Sequence, residues 1–306
     1  MNTDVHVILV GGSDCFVDQI ENLVSDREAR WSRFLPDSEI SQLNRSSGRP
    51  VVVEADTFQL LKDAIDAYHQ TEGAFDPTVL GSMLAAGYNR SFELLGQPAT
   101  GGSSSNFSSE AAGTSVVAAP GPEQIELLPE VSMVRVPSGV GIDLGGIAKG
   151  ATADAAVAFA LDSGAEGCCV NLGGDLRVSG TAPQPEGWLV EIDCPGSDET
   201  RSVSLTGGAV CTSTRTARTW GPENAEHHLR SPSTGKALDT GLASVVVIGR
   251  TATQAEVLTK VAMGAGVGLA VDALTTRGVT GLLITDEGHI VEVDGFAHFL
   301  TIPEAR

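Results

Sequence analysis

The sequence predicts an α+β protein in which helices flank mixed sheets. Three observations carry that expectation. Helix-like and strand-like stretches are interspersed along the chain, several strand candidates follow closely enough to form hairpins, and 42% of the 306 residues are apolar, enough for a real core. Residues 17–33 and 55–71 read as helices. Residues 131–136, 167–171, 187–193, 244–249 and 281–285 read as strands, and 254–266 as a helix. Between the two groups, residues 97–124 (QPATGGSSSNFSSEAAGTSVVAAPGPEQ) are rich in Gly, Ser, Ala and Pro. Such a segment buries too little apolar surface to fix itself, so a mobile surface loop is expected there, inserted in a single domain over 1–306.

Composition excludes several function classes. A formal net charge of −20 argues against nonspecific nucleic-acid binding and against attachment to anionic membranes, since either needs a basic face. No apolar run approaches the roughly 18 residues of a membrane span. The opening MNTDVHVILVGG lacks the basic start, apolar stretch and cleavage site of a signal peptide. Cys15, Cys168, Cys169, Cys194 and Cys211 show no CxxC spacing, so neither a disulfide framework nor a zinc site is indicated. A cytoplasmic location is the expectation.

The segment 141–150, GIDLGGIAKG, followed by TADAAVAFALDSG, carries the most chemistry. It reads as a short apolar strand turning through Gly145 and Gly146 into a helix, whose free N–H groups and positive dipole end suit a phosphate. Lys149 adds a point charge and Asp143 a carboxylate, so a phosphate with a bound cation is the economical reading. The Walker A pattern fails because Lys149 precedes Gly150, and the dinucleotide fingerprint fails at Leu144. A glycine-rich turn with a surface lysine is the alternative from the residues alone.

This segment resembles the IDLGGIAKGYAVD motif of the ApbE family, the FAD:protein FMN transferases. The resemblance extends over nearly the whole chain: FLPDSEISQLN at 34–44, GAFDPT at 73–78, VNLGGD at 170–175, AVCTS at 209–213, HLRSPSTG at 228–235 and AEVLTK at 255–260 match family motifs in order. It implies an ApbE-like fold and transfer of FMN from FAD to a Ser or Thr hydroxyl of an acceptor protein, with AMP released. FAD pyrophosphatase activity and noncatalytic FAD binding are the alternatives.

The resemblance also implies residue roles. Met1, Phe34, Ala74, Phe75, Asp76, Asp143 and Lys149 are expected at the FAD site, and His228 as the acid–base group, with Lys149 assisting catalysis. Read without the family, Phe75 is a core aromatic, Asp76 a cap and His228 a solvated loop histidine. Arg230 and Ser231 stand where the family has Ile and Asp, which makes Arg230 a candidate phosphate contact. The family's Asp and Thr at i, i+4, with a carbonyl at the position of Gly146, hold Mg²⁺; here Glu256 and Lys260 occupy those positions, and a protonated lysine is no ligand. Three outcomes follow: Thr259 substitutes as ligand, a water does, or the Lys260 ammonium replaces the metal charge. Alternatively, Glu256 and Lys260 form an exposed ion pair. Asp175 reads as a turn residue, and the Thr212 and Ser213 hydroxyls bond phosphate or their own backbone.

Overall fold

The computed structural model describes residues 3–13, 15–95, 117–197 and 199–301. Most of the expected loop at 97–124 therefore lies outside the described residues, as does Met1. Within its described end, Ala119 N–H donates to the Pro232 carbonyl at 2.7 Å and Gly121 N–H to the Thr78 hydroxyl at 3.0 Å.

In chain order the elements are β1 (Val5–Val10), α1 (Cys15–Trp31), α2 (Glu39–Arg45), β2 (Val51–Val52), α3 (Ala55–Gln70), α4 (Leu80–Ala85), β3 (Glu126–Leu128) and β4 (Met133–Arg135). Then come α5 (Ala148–Asp162), β5 (Gly167–Leu172), β6 (Asp175–Gly180), β7 (Trp188–Asp193), β8 (Thr200–Leu205), β9 (Gly208–Thr214), β10 (Thr219–Trp220) and β11 (Glu226–His227). β12 (Leu242–Gly249), α6 (Ala252–Ala265), α7 (Val267–Thr275), β13 (Thr280–Thr285) and β14 (Ile290–Glu292) complete the chain. They fall into two compact units. One comprises Asp26–Ala148 and Ala217–Leu238; the other comprises Thr3–Ser25, Lys149–Thr216 and Asp239–Arg306.

The first unit holds a small antiparallel sheet in the order β2-β4-β3, the β10-β11 pair and three helices, α2 to α4. α2 starts at Ser38, whose hydroxyl accepts the Ser41 N–H at 3.0 Å, satisfying a free donor of the first turn. α3 buries Leu60, Leu61 and Ala64 along one stripe, the spacing of a half-buried helix. The expected strand before Gly145 is extended chain rather than ladder. The Asn44 side chain takes both the N–H and the carbonyl of Ile142, at 2.7 and 2.9 Å, and the Asp143 N–H goes to the Pro77 carbonyl at 2.8 Å. Those bonds do the work of a neighbouring strand, so no ladder is needed.

The second unit is built on a seven-stranded sheet, β1-β5-β6-β9-β12-β13-β14, with every pairing antiparallel. β12, LASVVVIG, is buried at all but Gly249, as a central strand covered on both faces must be. One face packs with the β7-β8 hairpin around Trp188, Ile192, Val203, Leu205, Val246 and Phe296. α6 lies on β9 and β12, with α7 on α6 and β13.

Candidate functional site

In the second unit the starts of α5 and α6 cap one another. Asp154 of α5 accepts the N–H groups of Ala252 and Thr253, each at 2.9 Å, and the Thr253 hydroxyl at 2.7 Å. Thr251 accepts the next amide, that of Gln254, at 3.2 Å. In return Glu256, the fifth residue of α6, accepts the Gly150 N–H at 2.8 Å. The crossing needs glycine at 150, because a Cβ there would stand 2.3 Å from the Ala252 carbonyl oxygen.

Four charges gather around this crossing. Glu256 Oε1 lies 3.3 Å from Lys149 Nζ and 3.2 Å from Lys260 Nζ, and Lys149 Nζ also abuts the Asp175 carboxylate. Both carboxylates are fully buried, whereas the Lys149 and Lys260 side chains keep 15% and 18% exposure. β6 supplies Asp175 opposite Cys211 of β9, whose thiol meets the Ala252 carbonyl at 3.4 Å. Burial alone would raise the Glu256 pKa; Lys149, Lys260 and the Gly150 N–H outweigh it and hold the carboxyl below its usual value. Burial also lowers the Lys149 pKa, against the pull of Glu256. Glu256 and Lys260 are therefore not the exposed ion pair that the i, i+4 spacing also allowed.

Two of the residues expected to hold Mg²⁺ have spent their oxygens inside the protein. The Thr259 hydroxyl donates to the Glu256 carbonyl at 2.7 Å and pairs with Ser213 Oγ at 2.7 Å. Both Glu256 oxygens meet donors, and no group of three or more His, Cys, Asp or Glu side chains among the described residues could hold a metal ion. The donor set does not fit a resident divalent cation, because two of the three partners of Glu256 are ammonium groups. Gly146, the third expected ligand, is half-buried in the turn before α5.

In the first unit Asp143 is held twice, by Arg33 Nε at 2.7 Å and by the Gly145 N–H at 2.8 Å. The Arg33 guanidinium donates to the Tyr88 carbonyl at 2.9 Å and lies 4.1 Å from the Phe34 ring centre and 4.7 Å from that of Tyr88. Its Nη2 is buried without a hydrogen-bond partner among the described residues. Phe34, Tyr88 and Trp220 form a chain of rings, 5.4 and 4.9 Å apart, and Trp220 with Arg90 and Phe92 lines a cavity of about 620 Å³. Phe75 is buried, Ala74 is exposed, and Asp76 accepts both the Thr78 N–H at 2.7 Å and its hydroxyl at 2.6 Å.

His227 and His228 separate cleanly. His227 is buried, its Nε2 on the Leu238 carbonyl at 2.9 Å and its Nδ1 accepting the Leu229 N–H, which fixes a neutral ring as a structural brace. His228 is half-buried. Arg230 is buried too, its guanidinium on Glu226 and on the Gly235 carbonyl at 2.9 Å, where it holds the 231–235 turn.

The family profile named ApbE family matches residues 1–283. The chain belongs to the ApbE family. It is 25% identical to a FAD:protein FMN transferase of Vibrio cholerae over 91% of this chain and 82% of that protein, and 25% identical to one of Haemophilus influenzae over 90% and 80%. The ApbE protein of Thermotoga maritima superposes with a TM-score of 0.83 at 27% identity, covering 98% of this chain and 96% of that one. The flavin transferase ApbE of Vibrio cholerae shares the fold, with a TM-score of 0.76 at 21% identity over 98% and 96%. Within the ApbE pattern, reading the sequence singled out neither Arg33 nor a buried role for Asp175. Arg33 directly precedes the Phe34 motif, and Asp175 closes VNLGGD, so the motifs marked both neighbourhoods without giving their partners.

Proposed function

We propose that this chain is a FAD:protein FMN transferase. The observation that carries the reading is family membership over residues 1–283, joined by relatives of that name aligned across most of the chain. In the reaction, a Ser or Thr hydroxyl oxygen of the acceptor forms a bond to the FMN phosphorus, the bridging P–O bond to the adenylate breaks, and AMP leaves with the electron pair. His228 is assigned the hydroxyl proton, which returns to AMP or solvent. Phosphoryl transfer asks chiefly for positioning and neutralised charge, and Lys149, Asp143, Phe34, Phe75, Asp76 and the Gly145-Gly146 turn are assigned those tasks. Arg230 is assigned to the turn below His228, and no step is assigned to Mg²⁺ or to Thr259. The reading includes a cytoplasmic location, supported by buried cysteines that remain free thiols. No described helix is long and apolar enough to cross a membrane.

Incubation of the purified chain with FAD and candidate flavoprotein acceptors, followed by intact mass and AMP measurement, tests the proposal. The expected result is an acceptor heavier by one FMN moiety with AMP released in step. His228→Ala is expected to slow both about 100-fold while changing FAD affinity little. AMP release without acceptor mass gain would assign a pyrophosphatase instead, and FAD binding without AMP a carrier.

A further inference from the structure

We infer that the ammonium of Lys260 is a built-in cation, standing in this chain where a divalent ion would otherwise balance Glu256 and face a pyrophosphate ester. The identity of the ligand rests on the function proposed above; the cation assignment rests on the cluster itself. Asp175 and Glu256 are fully buried, and two buried carboxylates without matching charge would be untenable. Lys149 and Lys260 supply that match, so the four formal charges cancel. A divalent ion would have to expel Lys260 from 3.2 Å of Glu256 or leave the cluster with two surplus positive charges.

Lys260 is also tethered. It sits one turn beyond Glu256 on α6, so its charge arrives with the fold and depends on no ion concentration in solution. Its side chain is 18% exposed, and Glu256 holds the ammonium at 3.2 Å. The neighbouring hydroxyl cannot supplant it, since Thr259 is buried and bonded to Ser213 and to its own helix.

Mn²⁺ titration followed by electron paramagnetic resonance, at physiological ionic strength, reads the cation directly in wild type and Lys260→Thr. Wild type is expected to show no saturable Mn²⁺ site, while Lys260→Thr, which leaves two acids against one lysine, gains affinity of about tenfold or more. In parallel, FAD titration by flavin fluorescence is expected to give wild type the same affinity in chelator and in Mg²⁺. For Lys260→Thr, affinity is expected to fall about tenfold in chelator and to recover with Mg²⁺. A saturable Mn²⁺ site in wild type, or wild-type FAD affinity lost in chelator, would overturn the inference. So would a folded Lys260→Thr whose Mn²⁺ curve matches wild type. Should Lys260→Thr not fold, the wild-type Mn²⁺ curve decides alone. Absence of FAD binding under every condition would remove the flavin reading, and the Mn²⁺ comparison would still decide the cation.

Discussion

Asp76 is a buried carboxylate beside its own turn. Burial raises its pKa above the usual carboxylate value, more than the two hydrogen bonds from Thr78 lower it. A raised acid pKa means that the folded state holds the proton more tightly than the unfolded chain. The stability that Asp76 contributes is thus present below its unfolded pKa and is lost as pH rises through the folded value. Asn at 76 keeps an oxygen for both Thr78 bonds and removes the titration. Asp76→Asn is therefore expected to gain in melting temperature over wild type between pH 3.5 and pH 7, measured as paired thermal scans. A difference that stays flat or narrows as pH rises would mean that the ionised carboxylate is not penalised. Phe75, next in the chain, occupies the core position that a lone aromatic suggested.

The crossing of α5 and α6 turns two helix starts into one element-level joint. Asp154 satisfies the first two amides of α6 and holds Arg177 Nε at 3.1 Å, so its loss is felt at both elements. Asp154→Ala is expected to cost about 2 kcal/mol, read as a lower urea midpoint with an unchanged slope. An unchanged midpoint would reduce Asp154 to a solvated acid. At this scale the sequence was legible wherever one segment carries its own pattern. The stretch 254–266 became α6 and 244–249 became β12, each longer by a residue or two. β6 and β9 were not read because their glycines and polar residues break the alternation, and their burial comes from α6 above rather than from their own pattern. For the same reason Asp175 looked like the end of a glycine turn: its partner Lys149 reaches it only after β6, β9 and α6 assemble. Lys149 and Glu256 were named from the motifs, while the neutral balance of four charges is a property of three dimensions.

At the scale of the whole molecule, 39 acidic residues oppose 19 basic ones, and a background so negative disfavours an anionic ligand such as FAD. The thiols give the whole chain a simple test of its order. Of five cysteines only Cys15 is exposed; burial pushes Cys168 up to about 12 and Cys169 up to about 11, and raises Cys211 further. A thiol reagent is expected to modify one cysteine in the native protein and five in denaturant, followed by absorbance. More than one fast-reacting thiol would mean that the sheet opens readily. The mutual caps, finally, impose a timetable on synthesis. Gly150 and Glu256 are 106 positions apart, so α5 leaves the ribosome long before the carboxylate that completes its first turn, and Asp154 waits as long for the amides it holds. Until α6 is made, the nascent chain carries Lys149 and Asp175 without Glu256 or Lys260. The joint is therefore a late checkpoint, closed only by residues in the last fifth of the chain.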